Sequence, residues 1–111
     1  MKSQKAAIYC RVDDDKEYAS RQEKLDKIYF RLASFAHAHK MSIVSYYEDI
    51  ANVSAALPLS GITDLLDDYN NGLFKAILVT NYNQLPKGIL DAMLESIYSV
   101  NTSERIHKAL H

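Results

Sequence analysis

Residues Ala76-Ile77-Leu78-Val79 form an unbroken apolar run between Lys75 and the polar pair Thr80-Asn81. A strand with one face in water alternates apolar and polar side chains. A strand covered on both faces has no need to, so a short, wholly apolar run is the signature of a parallel sheet buried between helices. Two more runs lie upstream, Ala6-Ala7-Ile8-Tyr9-Cys10 and Ile43-Val44-Ser45-Tyr46-Tyr47. A weaker and more polar one, Arg105-Ile106-His107-Lys108-Ala109-Leu110, reads as an edge strand or a frayed end.

Helical periodicity fills the intervals. Leu25, Ile28, Tyr29, Leu32, Phe35 and Ala36 fall on one face of a helix, with Ser20 and Glu23 spaced as a capping box at its start. Ile62, Leu65, Leu66 and Tyr69 mark a second helix, stopped by Asn70-Asn71-Gly72. A third is predicted from Pro86 to near Asn101, with Leu90, Met93, Leu94, Ile97 and Tyr98 on its apolar face. Strands alternating with helices predict an α/β fold, a three-layer sandwich with a mainly parallel sheet of about four strands. Right-handed crossovers put helices on both faces. Ligand sites in such folds lie beyond the C-terminal ends of the strands, here residues 11–15, 48–53 and 80–87. There is no internal repeat, linker or low-complexity stretch, so residues 1–111 are expected to form one domain.

The 111 residues are 48% hydrophobic and 24% charged, values of a globular chain. No apolar run approaches the roughly 18 residues of a membrane span, and the start lacks the h-region of about 7–15 residues that a secretory signal needs. A cytoplasmic protein is expected. The single cysteine, Cys10, sits in an apolar run and is expected to be a buried hydrophobe. A net charge of −1 argues against strong binding of nucleic acid by this chain alone, because that affinity comes largely from cationic contacts to phosphate.

The first strand is followed by Asp13-Asp14-Asp15. Three adjacent carboxylates favour a solvated loop whose last acids help the next helix to start; the competing reading is a magnesium site. A phosphorylatable receiver domain would need an aspartate after the third strand, where this chain has Thr80-Asn81. His37 and His39 lie on different faces of a helix. No phosphate loop and no dinucleotide fingerprint is present, and no metal or cofactor is expected. The tyrosines fall mostly at packing positions rather than on a base-stacking platform.

An ordered set of segments resembles the catalytic domain of the serine recombinases, the resolvase/invertase family. Ala7-Ile8-Tyr9-Cys10-Arg11-Val12 resembles their opening strand, A-x-Y-x-R-V-S-T. Tyr46-Tyr47-Glu48-Asp49-Ile50-Ala51 is similar to Y-x-D-x-A-S-G. Ser60-Gly61-Ile62 through Asp68 is similar to R-P-G-L-x-x-L-L-x-D, residues 72–79 to G-x-x-D-x-I-L-V, and Asn83-Gln84-Leu85-Pro86-Lys87 to D-R-L-S-R. The resemblance spans about residues 5 to 98 and implies strand order 2-1-3-4 with the first strand central.

The family's active-site positions fall on Tyr9, Arg11, Asp13, Asp49, Gln84 and Lys87. Tyr9, Arg11 and Asp49 match the family's residue types. Asp13 stands where the family has its nucleophilic serine, Leu59 and Gln84 where it has arginines, Lys87 where it has another, and Asn83 where it has an aspartate. Strand cleavage needs a hydroxyl to attack the phosphodiester and bidentate cations to stabilise the charge that develops. The resemblance therefore implies a recombination-family fold without its reaction, a pseudoenzyme or a remnant of a mobile element. Such a domain would act through contacts with another recombinase subunit. The dimerisation helix and DNA-binding domain that usually follow in the family are expected to be missing. The alternatives are a metal-dependent enzyme using the loop Asp13-Asp14-Asp15, or a small α/β binding module.

Overall fold

The computed structural model describes residues 4–13, 18–51 and 60–101. Strands β1 (Gln4–Asp13), β2 (Met41–Ala51), β3 (Ala76–Val79) and β4 (Ile97–Ser99) form one sheet in the order β2-β1-β3-β4. Every pairing in it is parallel. The helices are α1 (Tyr18–Ala38), α2 (Ser60–Asn70) and α3 (Lys87–Ala92), with single 3-10 turns at Tyr82–Gln84 and Leu94–Ser96. The α/β class, the parallel sheet and the 2-1-3-4 order are those read from the sequence.

Period-two alternation on β1 splits the core in two. Ala7 and Tyr9 point to one face and pack with Ile62 and Leu65 of α2, Phe74, and Met93 just past α3. Ala6, Ile8, Cys10 and Val12 point to the other and meet Leu25, Leu32 and Ala36 of α1. All four residues of β3 are buried, as their unbroken apolarity requires. Burying a large aliphatic or aromatic side chain stabilises by roughly 1.5–3 kcal/mol, so these two clusters carry most of the favourable energy. Cys10 is fully buried in the α1-side cluster. Burial pushes its thiol up to about 12.

The helix ends follow local chemistry where a local signal exists. Gly72 takes φ +79° just past α2, its N–H bonds Tyr69 O, and Leu73 N–H bonds Asp68 O. This is a Schellman stop, which glycine enters without a Cβ penalty. Ser20 is already helical, inside α1, so it does not cap that helix as the spacing with Glu23 suggested.

The third helix is the main departure from the periodicity. α3 ends at Ala92, a 3-10 turn follows, and Ile97-Tyr98-Ser99 becomes β4. Residues 97 and 98, placed on a helix face by their spacing, are strand residues instead. The reason is non-local. β3 is buried on both faces and pairs with β1 on one edge; its other edge needs backbone partners. β4 supplies them, and Val100 N–H to Val79 O and Asn101 N–H to Thr80 O, both at 2.9 Å, extend the ladder. The stretch 105–110, read as the fourth strand, lies outside the described residues. Strand β2 likewise runs further than its apolar core, so Glu48 and Asp49 are strand residues rather than part of a following loop.

Candidate functional site

The C-terminal ends of β1 and β3 meet where the crossovers diverge to opposite faces, the position at which α/β sheets open a crevice. An open depression of about 590 Å³ lies there. Arg11 and Val12 enter it from β1, Asn83 and Gln84 from the turn after β3, and Lys24, Lys27 and Ile28 from α1. Arg11 and Gln84 therefore share one wall-to-wall space. Lys87 opens α3, is exposed, and is not among the lining residues. Asp13 ends β1; its side chain, and Leu59, lie outside the described residues.

Tyr9 and Asp49 form a second, buried part of the site. Arg11 is register partner to Asp49 across the β1–β2 ladder. The Asp49 carboxylate is not turned to Arg11. It accepts the Tyr9 hydroxyl at 2.7 Å on Oδ2, Gly61 N–H at 2.7 Å on Oδ1 and Ile62 N–H at 3.0 Å on Oδ2. The last two donors belong to the first turn of α2, whose N–H groups have no partner within the helix. Asp49 is thus an N-terminal cap supplied from a neighbouring strand, with its charge at the favourable end of the helix dipole.

Gly61 makes this close approach feasible: a Cβ there would sit 2.4 Å from Glu48 O and 2.9 Å from Asp49 Cγ. Burial, then the hydrogen bond to Asp49, raise the Tyr9 phenol far above its ordinary value, with Arg11 acting weakly in the opposite sense. Tyr9 keeps its proton. Both oxygens of the Asp49 carboxylate are occupied by donors.

The structure brings Tyr9, Asp49, Arg11 and Gln84 to one end of the sheet and leaves Lys87 at the rim. The α1 residues Lys24, Lys27 and Ile28 were not foreseen as part of this space. Their spacing of i, i+3, i+4 puts them on one flank of the helix, but nothing local says which strand end that flank overlooks. Among the described residues no group of three or more His, Cys, Asp and Glu is placed to hold a metal ion. No described helix is long and apolar enough to cross a membrane.

Solved structures decide what this architecture is. The N-terminal catalytic domain of TP901-1 integrase matches with TM-score 0.71 and 25% identity over 90% of this chain and 80% of that one. The chain has the fold of a serine recombinase catalytic domain. The C-terminal catalytic domain of ISC1926 TnpA, an IS607-like serine recombinase, matches with TM-score 0.73 and 18% identity, covering 96% of this chain and 77% of that one. A resolvase family site-specific recombinase from Streptococcus pneumoniae gives TM-score 0.67 and 18% identity over 88% and 72% of the respective chains. No protein-family model matches the sequence, and no curated protein does.

Proposed function

We propose that this chain is a recombinase-fold domain that does not cleave DNA and works through contacts with another recombinase subunit in the cytoplasm. The reading is carried by Asp13 where the resemblance puts the family's serine, with Gln84 and Lys87 where it puts arginines. A carboxylate beside a phosphodiester repels the group it would have to attack. Glutamine is neutral, and lysine gives a point charge where a planar fork is needed. Removing one preorganised donor from such a site costs roughly 10²–10³ in rate, so loss of the hydroxyl and several cations together abolishes the step. The Tyr9–Asp49 pair fits the same reading, because here it serves the start of α2 rather than a reacting group.

Support for a partner comes from the β2 side of the sheet. β2 is an edge strand, and Val44, Tyr46 and Ile50 on it are exposed, as are Tyr29 and Phe30 on α1. Tyr29 and Tyr46 contact edge to face, with ring centroids 5.4 Å apart, joining the helix and strand parts of this surface. Among the described strands β2 pairs on one side only, and an edge strand that carries exposed apolar side chains is a docking site for another chain.

The test is incubation of wild type and Asp13→Ser with supercoiled plasmid carrying candidate crossover sites, followed by denaturing gels for protein–DNA adducts. Neither protein should form an adduct. One formed by the wild type refutes the reading, and one formed by Asp13→Ser alone shows that the lost arginines matter less than argued. Partner contact is tested by co-sedimentation with an active serine recombinase from the same host. Complex formation should be lost in Phe30→Asp/Val44→Asp; no complex with the wild type rejects the partner half of the proposal.

A further inference from the structure

We propose that a second copy of this chain covers the free edge of β2, the two β2 strands pairing antiparallel about a twofold axis at Tyr47. This deepens the partner reading above and rests on it for the surface, naming the chain that occupies it.

The edge suits strand addition. Among the described strands β2 pairs with β1 alone, so the backbone groups along its outer side have no partner in the sheet. From Ser42 to Ile50 exposed positions alternate with buried or half-buried ones, and no lysine or proline interrupts them. Val44 has no partner on β1, where the register shifts between Ala6 and Ala7. A bulge of this kind disrupts regular pairing, so the usable edge runs from Val44 toward the end of the strand.

Within that stretch one register is self-complementary. A twofold interface makes every contact twice, so each must be favourable. A centre between two residues opposes an exposed position to a buried one. Centred on Glu48, the pairing sets two carboxylates directly opposite, which is destabilising. Centred on Tyr46, it runs through the bulge and sets Val44 against Glu48. Centred on Tyr47, it sets Val44 opposite Ile50 and Tyr46 opposite Glu48. Opposite residues have Cβ atoms about 4.5–5.5 Å apart, within reach of these side chains. Within one chain the Tyr46 hydroxyl already donates to Glu48 Oε2 at 2.6 Å, in an exposed position. The same donor and acceptor meet across the seam, so the carboxylate enters the interface with its hydrogen bond kept.

The surface is large enough for a dimer. Phe30 is 74% exposed, and Tyr29, Val44, Tyr46 and Ile50 are between 40% and 46% exposed. An aromatic side chain covers about 150–250 Å² when buried, so the five leave roughly 400 Å² of apolar surface on each copy. A twofold axis perpendicular to the sheet keeps both α1 helices on the same side of the joined strands. Tyr29, in contact with Tyr46, therefore lies beside the seam. Two such patches and the paired backbone remove on the order of 1,200 Å² from water, the lower end of the range for a specific interface. A net charge of −1 sets up little repulsion between copies.

The full chain is sedimented to equilibrium at loadings from about 1 to about 200 μM. A reversible monomer–dimer equilibrium is expected. Val44→Lys and Ile50→Glu should each weaken it about tenfold or more, and so should Phe30→Asp, which lies outside the sheet. Combined in one chain, Val44→Lys and Ile50→Glu should dimerise more tightly than either alone, because the register sets the new cation against the new carboxylate twice; independent losses would add instead. Circular dichroism melts check that these exposed substitutions leave the fold intact. A monomer at every loading, a dimer that none of the single variants weakens, or a double variant no tighter than the singles overturns the inference. The partner reading is decided separately, by co-sedimentation with an active recombinase. A chain that self-associates in this register but forms no such complex upholds the inference and rejects that reading.

Discussion

Asp49→Ala tests the central structural claim, that this carboxylate joins β1, β2 and α2. Asp49 is buried and accepts three hydrogen bonds, from the Tyr9 hydroxyl and from the backbone of Gly61 and Ile62. Alanine removes every acceptor and leaves the donors. A buried donor stranded in this way costs about 1–3 kcal/mol, and loss of a helix cap typically costs about 1 kcal/mol. The Tyr9 ring is fully buried, and Gly61 and Ile62 at the start of α2 are buried too, so none of the three donors gains much from solvent. The sum is roughly 3–5 kcal/mol, a large part of the 5–15 kcal/mol that holds a typical domain together. For a domain of this size each kcal/mol moves Tm by about 4–8 °C, so a fall of more than about 12 °C is expected. Urea unfolding followed by circular dichroism gives the free energy. A cycle with Tyr9→Phe and the double variant should give a coupling energy above about 1 kcal/mol. A loss below 1 kcal/mol for Asp49→Ala, or a coupling indistinguishable from zero, would refute the capping argument.

Gly61→Ala should destabilise by about 1–3 kcal/mol, since its Cβ meets backbone rather than a yielding side chain; the same urea series reads it, and a neutral result would show that α2 can retreat from β2 at little cost. Cys10, with its thiol pushed up to about 12 by burial, should resist a thiol reagent such as Ellman's at neutral pH until the protein unfolds; fast labelling of the native state would contradict its burial. Folding favours the neutral forms of Cys10 and of Tyr47, the latter raised from 10.0 to about 12 by burial and its bond to Asp68. Their contribution is therefore complete below about pH 9 and is lost as pH rises toward 12, so urea midpoints should fall across that window, and less steeply in Cys10→Ala. Lys40 sits at φ 58° in the turn between α1 and β2, and Lys40→Gly should stabilise by up to about 1 kcal/mol in thermal unfolding, because glycine enters the left-handed region without the Cβ penalty.

The site residues were legible in the sequence to different degrees. Arg11 and Gln84 were assigned to one place by the family resemblance, which agrees with parallel strands ending together: Arg11 adjoins the first apolar run, and Gln84 lies in the turn after the third. Asp49 was marked by its resemblance to a family position, yet its work as a cap for α2 was not visible: its acceptor atoms serve residues 12 and 13 positions further on. No local pattern encodes a cap delivered across that distance. Lys24 and Lys27 carried no mark in the sequence, and only the packing of α1 on β1 brings them to the depression that Arg11 lines.

By itself the sequence determined the class of the fold and the stop of α2 at Gly72, which are properties of residue type and short-range spacing, while the central place of β1 followed from the family resemblance. Tertiary structure alone decided that residues 97–99 are a strand. Their spacing suits a helix and their side chains suit either state. The deciding term is the edge of β3, buried and in need of hydrogen bonds, and that need arises only once the sheet has formed.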